Sequence, residues 1–455
     1  MLSVTLNISV IGTGYLGATH AACMAELGFD VIGVDVDPEK IDSLSRGDLP
    51  FHEPGLPELI RKHVDSGRLR FTTDMGEVGA WADVHFIAVG TPQLPGGTGA
   101  DMTYVDAATT SLAQAITKDR ALIVGKSTVP VGTAARLYDL VKAEKNDDVD
   151  LSLAWNPEFL REGFAVKDTV EPDRLVVGTR HEADEQLLRE VYAEALDRST
   201  PWVSTDFETA ELVKVAANAF LATKISFINA FSEVTETVGG DIATLADAIG
   251  FDERIGRKFL NAGVGFGGGC LPKDIRALQT RVGELGLDHT MRFLNEMDHI
   301  NLRRRDRVIS LAEEILGGDY AGTDENHSAV EGKRIAVLGI TFKPLSDDVR
   351  DSPGLDIAGR LYNAGADVSV YDPQGNANAA KRFPRLGYVD SMTEAARGAD
   401  LVVLTTEWNE FKQLAPADLN EVVAKRQFID ARNVLPAPEW EQAGWTIAQL
   451  GRKFD

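Results

Sequence analysis

Asn7-Ile8-Ser9-Val10-Ile11-Gly12-Thr13-Gly14-Tyr15-Leu16-Gly17 decides the fold. Ile8, Val10 and Ile11 make a short apolar strand, Asn7–Gly12, and the glycines follow at once as Gly-x-Gly-x-x-Gly. A helical stretch continues to about Leu27, and Val31-Ile32-Gly33-Val34-Asp35 reads as a second strand ending in an acid. Such glycines alone carry little. Between a strand and a helix they let backbone approach a pyrophosphate seated on the helix N-terminus. Asp35 would then accept hydrogen bonds from the adenosine ribose hydroxyls and repel a 2′-phosphate, favouring NAD over NADP. The bland alternative is a tight strand-helix turn.

Outward from this unit, Val84–Val89, Ala121–Lys126, Leu151–Ala154 and Leu175–Gly178 read as strands, with helical segments between most of them. That alternation predicts a doubly wound parallel sheet over residues 1–205. Strand signals vanish from Asp206 to about Arg305, within a central domain over 206–316, where Thr209–Val238 reads as one long helix carrying Leu212, Val215, Ala216, Ala219 and Phe220 at helical spacing. This central helical domain with its long connecting helix is expected to supply a homodimer or larger homo-oligomer interface. Residues 317–332 are polar and aperiodic and read as a linker. Strands restart at Arg334–Gly339 and recur at Val368–Asp372, Leu401–Thr405 and Gln427–Asp430. Residues 333–455 therefore form a second Rossmann-like domain of the α/β class. Ala82–Thr91 aligns with Ala399–Glu407, but Gly339-Ile340-Thr341-Phe342-Lys343-Pro344 stands where the first copy has its glycine fingerprint. The two α/β domains are expected to bind different ligands.

Composition narrows the function. The 455 residues suit about three domains at roughly 150 residues each, and 46 basic against 70 acidic residues leave a net charge of −24. That argues against nucleic-acid binding, which wants a basic stripe. No apolar run approaches the ~18 residues of a membrane span, no basic n-region or small-residue cleavage site stands ahead of the first strand, so no signal peptide is expected, and two cysteines exclude a disulfide framework. A reducing cytoplasm is the expected home, and no metal site is expected.

The cysteines differ. Cys23, mid-helix in Ala21-Ala22-Cys23-Met24, reads as packed core. Cys270 ends Gly265-Phe266-Gly267-Gly268-Gly269-Cys270 and precedes Leu271-Pro272-Lys273-Asp274. Pro272 suits a first helical turn, so the thiol would lie near a positive helix end beside Lys273, a setting that favours thiolate. The glycines are expected to leave a substrate room; a structural thiol in a glycine turn is the alternative. Lys214 and Asn218, four apart on the long helix, share a face. Read by themselves they are a snorkelling lysine beside a satisfied asparagine. Asn156-Pro157-Glu158-Phe159-Leu160-Arg161-Glu162, Lys126-Ser127-Thr128 and Thr91-Pro92 follow strands of the first domain, where parallel sheets bind ligands.

Together, Gly12–Gly17, Val89-Gly90-Thr91-Pro92, Lys126-Ser127-Thr128-Val129-Pro130, Asn156-Pro157-Glu158-Phe159, Lys214 with Asn218, Gly265–Asp274 and Phe342-Lys343-Pro344 resemble the UDP-glucose/GDP-mannose dehydrogenase family over nearly the whole chain. Pro50-Phe51-His52-Glu53-Pro54-Gly55-Leu56 is similar to its UDP-glucose branch. The resemblance implies NAD-dependent oxidation of a nucleotide sugar's C6 alcohol to a carboxylate in two steps, with a cysteine nucleophile. It implies Cys270 as nucleophile, Lys214 and Asn218 as stabilisers of negative oxygen, and Asp274, Glu158 and Thr128 as groups that orient or activate water. Gly12, Gly14, Tyr15, Leu16, Gly17, Asp35, Lys40, Thr91, Thr128, Glu162 and Arg350 are implied to hold NAD. The UDP-sugar would meet Glu158, Phe159, Leu160, Lys214, Asn218, Phe259, Asn261, Gly265, Phe266, Gly267, Lys343 and Arg432, with Arg254 reaching a neighbouring subunit's substrate. Gly269 departs from the family's usual serine. A GDP-mannose or N-acetylated UDP-sugar substrate, or a non-catalytic nucleotide-sugar-binding regulator, remain the alternatives.

Overall fold

The computed structural model describes residues 6–317 and 328–454. The chain divides into two compact units, Met1–Ala217 with Arg276–Gly286, and Asn218–Ile275 with Leu287–Asp455.

The first unit holds β1 (Asn7–Ile11), β2 (Asp30–Val34), β3 (Leu69–Thr72), β4 (Val84–Ile87), β5 (Arg120–Gly125), β6 (Asp150–Trp155), β7 (Leu175–Gly178) and β8 (Trp202–Thr205), in the sheet order β3-β2-β1-β4-β5-β6-β7-β8. Helices cover the sheet, so its central strands are largely apolar; all four residues of β4, His85 included, are buried. Strand order reverses between β1 and β4, which places a crevice beyond their carboxyl ends. The sheet is parallel from β3 through β6. Then β7 pairs antiparallel with β6 through Trp155 and Gly178, and β8 follows β7 in parallel. Neither that reversal nor the strands β3 and β8 were foreseen. Both missed strands are sheet edges, and their part-exposed Leu-Arg-Phe-Thr and Trp-Val-Ser-Thr lack the apolar run that marks a central strand.

The second unit repeats the plan. Here β9 (Arg334–Leu338), β10 (Asp367–Tyr371), β11 (Gly387–Tyr388), β12 (Leu401–Leu404), β13 (Gln427–Asp430) and β14 (Thr446–Gln449) pair in parallel in the order β11-β10-β9-β12-β13-β14. The kinship reaches single bonds. Asp83 accepts the Asn7 N–H at 2.9 Å, and Asp400 accepts the Arg334 N–H at 3.1 Å. Gly12 donates to Val34 O at 2.7 Å and Gly339 to Tyr371 O at 2.8 Å, both at φ +89°.

The second copy lacks the Gly-x-Gly-x-x-Gly motif, as its sequence reads, but it keeps part of that motif's geometry. A Cβ on Gly17 would meet Gly12 O at 1.7 Å, and one on Gly354 would meet Gly339 O at 2.7 Å. Two of the glycine roles survive, separated by a longer loop, residues 340–352, which hides the motif from a fixed-spacing reading.

Between the sheets the chain is helical: Phe207–Val238, Ile242–Gly250, Leu271–Glu284 and Phe293–Gly317. The first runs unbroken for 32 residues, as its apolar spacing predicts. Gly317, placed in the linker by sequence, is the last residue of a helix. Residues 318–327 of that linker lie outside the described residues, and Ser328–Gly332 turn into β9.

Candidate active site

The turn after β1 fits a dinucleotide. A Cβ on Gly14 would meet nothing within 4 Å, so this face of the backbone is open, while Gly17 must be glycine for the Tyr15–Glu26 helix to approach Gly12. No side chain caps the helix at Gly14, and its first N–H groups are ready donors for phosphate. Asp35, just past β2, accepts from Thr13 N (2.8 Å), Thr13 Oγ1 (3.1 Å) and Lys40 Nζ (2.8 Å) through one oxygen, and from Asp37 N at 3.2 Å through the other. Burial pushes this carboxyl up, but Lys40 and the backbone N–H groups outweigh it and hold it below the usual range. The charge that repels a 2′-phosphate is therefore kept, with Lys40 beside it.

Beyond β6 the chain carries Glu158. Its Oε1 accepts from Lys214 Nζ at 2.8 Å and its Oε2 from Leu160 N at 2.8 Å. Lys214 is 5% exposed, so this is a buried ion pair, not a snorkelling lysine. Its ammonium also lies 5.7 Å from the Phe159 ring centre, with the Arg174 guanidinium 3.9 Å from that ring. Thr91 Oγ1 donates to Thr128 O at 2.8 Å, joining the turns after β4 and β5. Glu162, on the same loop as Glu158, is half-buried.

In the Pro50–Leu56 stretch, sequence gives Glu53 no role of its own. Glu53 is 1% exposed and accepts from Gly163 N (2.6 Å), Ala165 N (2.8 Å) and the Tyr15 hydroxyl. It clamps the loop that carries Glu158 and Glu162 to the residue that opens the cofactor helix. Burial, with Glu53 alongside, raises the Tyr15 hydroxyl far above its ordinary value, so Tyr15 stays a donor.

The second unit carries the thiol. Cys23 is buried core, and burial pushes its thiol up to about 12. Cys270 is exposed and immediately precedes the Leu271–Glu284 helix, with its carbonyl accepting the Asp274 N–H at 2.9 Å. Asp274, 3% exposed, accepts from Asn218 Nδ2 at 2.7 Å and Lys273 Nζ at 2.6 Å. Thiol, carboxylate, amide and ammonium thus sit around one helix start.

The glycines before Cys270 do not open room for a substrate, as sequence suggested. A Cβ on Gly265 would lie 2.3 Å from Asn301 Oδ1, one on Gly267 2.3 Å from Asp351 O, and one on Gly268 2.8 Å from the Phe342 ring. They are glycine because the chain itself packs there. Gly269 faces the Arg350 guanidinium at 2.3 Å from the same construction, the place a serine side chain would claim. Arg432 binds this segment, donating to Gly265 O at 2.9 Å and Thr405 O at 2.7 Å, with Glu407 at 3.2 Å. The Lys343 ammonium lies 5.3 Å from the Phe342 ring centre. Phe266 is buried on Asn301, whereas Phe259 is exposed at φ +66° and Asn261 accepts from Arg257 at 2.7 Å. Arg254 is almost fully exposed and pairs with Asp252 at 2.6 Å.

Known proteins share this plan from end to end. The NAD binding, central and UDP binding domains of one dehydrogenase family match residues 6–196, 208–303 and 336–437. A UDP-glucose 6-dehydrogenase of Rhizobium meliloti is 40% identical over 449 residues, covering 98% of this chain and 100% of that protein. The solved UDP-glucose dehydrogenase of Pyrobaculum islandicum is 37% identical, with a TM-score of 0.87 over 96% of each chain. A UDP-N-acetylmannosamine dehydrogenase structure from Pyrococcus horikoshii is 26% identical, with a TM-score of 0.84 over 99% of this chain and 100% of that one. The chain belongs to the UDP-glucose/GDP-mannose dehydrogenase family.

Proposed function

We propose that this chain oxidises the C6 alcohol of UDP-glucose to a carboxylate, consuming two NAD and one water through a thiohemiacetal and a thioester on Cys270. The observation that carries the reading is the exposed Cys270 thiol at a helix start whose Asp274 is buried and bound to Asn218. An oxidation that ended at the aldehyde would need no such nucleophile.

NAD, when bound, accepts one hydride in each oxidation. Gly12, Gly14 and Gly17 give its pyrophosphate backbone contact, and Asp35 receives the ribose hydroxyls. Cys270 Sγ bonds to the C6 aldehyde, and the Lys214 ammonium, with the Asn218 amide, holds the negative oxygen that forms. Stabilisation of that kind is often worth about 3–4 kcal/mol. Glu158, held by Lys214 and by Leu160 N, takes the proton of the water that cleaves the thioester, with Asp274 and Thr128 orienting it. Lys343 and Arg432 serve the nucleotide of the sugar, and Arg254, almost fully exposed, serves that of a neighbouring subunit.

A homodimer belongs to this reading. Phe220, Phe227, Phe231, Val234 and Val238 are all exposed on the long helix. At 100° per residue they fall within an arc of about 60°, a continuous apolar stripe suited to its own copy. No helix among the described residues is long and apolar enough to cross a membrane. The reducing cytoplasm is the compartment in which such a thiolate persists.

A panel of UDP-glucose, GDP-mannose and UDP-N-acetylmannosamine, read by NADH formation, tests the substrate. UDP-glucose should give the highest kcat/KM, with two NADH for each sugar consumed. Preference for either other sugar would overturn the substrate, and one NADH per sugar would overturn the chemistry.

A further inference from the structure

Behind Glu158, within the first unit, lies a half-enclosed chamber of about 50 Å³. His20, Lys126, Glu158, Asp168, Arg174 and Tyr192 form its polar wall, and Asp173 stands exposed at its rim. One water needs roughly 10–15 Å³ of such space, so a few fit. His20 is 1% exposed, and neither of its ring nitrogens has a hydrogen-bond partner. Buried polar atoms left in that state are costly, and water at their edge removes the cost.

Lys126, 6% exposed, donates to Asn156 Oδ1 at 2.9 Å and to the Tyr192 hydroxyl at 3.1 Å. An ammonium has a third N–H. Glu158 accepts from Lys214 and Leu160 N, and since its side chain and Lys126 both line the chamber, chamber water can join the two.

We propose that water in this chamber links the Glu158 carboxyl to the Lys126 amine and is the route by which protons leave the reaction, with His20 ordering the line. The inference rests on Glu158 being the base for thioester hydrolysis. In that step the water oxygen bonds to the acyl carbon and one O–H bond breaks, its proton passing to the Glu158 carboxylate. The carbon–sulfur bond breaks with its electron pair on Cys270 Sγ. Glu158 then hands the proton through chamber water to neutral Lys126, which becomes the ammonium and restores the carboxylate. Lys126 releases it to solvent past Asp168 and Asp173.

The electrostatics agree. Burial pushes the Lys126 ammonium down to about 7, against the upward pull of the Glu158 carboxylate, so both of its states are available at neutral pH. Burial, with the Lys126 charge, also keeps His20 neutral, able to accept and donate to water at once. The charged and titratable groups facing Lys126 are those of the chamber wall and rim, and Arg174 is the only other cation among them.

Lys126→Met, nearly isosteric, tests the relay. Rapid mixing with UDP-glucose and NAD should show the NADH burst retained. Steady turnover should fall by at least ~10-fold, a barrier increase of about 1.4 kcal/mol, with the acyl adduct accumulating on Cys270. Wild-type hydrolysis should show an inflection near pH 7 that the variant lacks. Hydrolysis at the wild-type rate with its pH profile intact would overturn the relay. Should the variant not fold, Lys126→Gln, which keeps an amide donor but cannot take up a proton, is read the same way alongside: a retained burst with slowed hydrolysis supports the relay, and hydrolysis at the wild-type rate overturns it. Absence of two NADH per UDP-glucose from the wild-type protein would instead overturn the functional reading beneath it.

Discussion

At the scale of single residues, Asp35 shows what a sequence can disclose. Its place at the end of a second strand follows from spacing alone, and so does the proposal that it receives a ribose. The structure adds Lys40 at 2.8 Å on the same carboxylate. Removing the Asp35 charge should therefore free a lysine where a 2′-phosphate would sit. For Asp35→Asn the ratio of kcat/KM for NAD over NADP should drop by at least ~10-fold, about 1.4 kcal/mol. An unchanged ratio in parallel steady-state assays contradicts this placement. Glu53 shows the opposite case. Its partners Gly163 and Ala165 are 110 and 112 residues away in sequence, so nothing local marks it, although it stands in a quoted block. Lys126 was likewise legible as a strand-end lysine and illegible as a buried one, because its partners Asn156 and Tyr192 lie 30 and 66 residues further along the chain. The glycines before Cys270 were visible, but what fills their space, Asn301, Asp351 and Phe342, was not.

Among elements, the strands that failed to register were edges or were short, while every central strand was found within a residue or two. A central strand is apolar because it is covered on both sides; an edge strand has no such obligation. The long helix was legible throughout, but its fastening was not. Glu211, 2% exposed on that helix, accepts from Gly132 N at 2.7 Å and Ala134 N at 2.6 Å, where the Thr133–Glu144 helix begins. Burial raises its carboxyl to about 7 against those bonds. Its folded value lies above its unfolded one, so the folded state holds the proton more tightly. The associated stability is present below about 4.5 and is lost as pH rises through about 7. Glu211→Gln does not titrate. Between pH 5 and pH 8 the urea stability of this variant relative to wild type should therefore improve, with a ceiling on the order of 3 kcal/mol at 1.36 kcal/mol per pKa unit. A relative stability that does not vary with pH would exclude a strongly raised Glu211.

Over the whole molecule, two sheets of one plan have diverged in their turns. The first keeps its three glycines close together for a dinucleotide. The second retains Gly339 and Gly354 and spends a longer loop between them, and it matches a UDP binding domain. Assembly is the other question at this scale. Phe227 and Phe231 stack with ring centres 4.8 Å apart on the exposed stripe of the long helix. Phe227→Glu with Phe231→Glu should convert a dimer to a monomer in light scattering with little change in helix content. A double variant that remains dimeric would move the interface elsewhere.

The central claim is a four-electron oxidation that passes through an acyl group on Cys270, and Glu158→Gln exposes it most directly. Gln keeps the size of the side chain but cannot take a proton from water at neutral pH. Mixed with UDP-glucose and excess NAD, the variant should release about two NADH per site and then nearly stop, as blocked deacylation requires. Intact-protein mass spectrometry should then find a uronyl adduct, removed by Cys270→Ala. One NADH per site with free aldehyde, or sustained turnover with no adduct on Cys270, would contradict it.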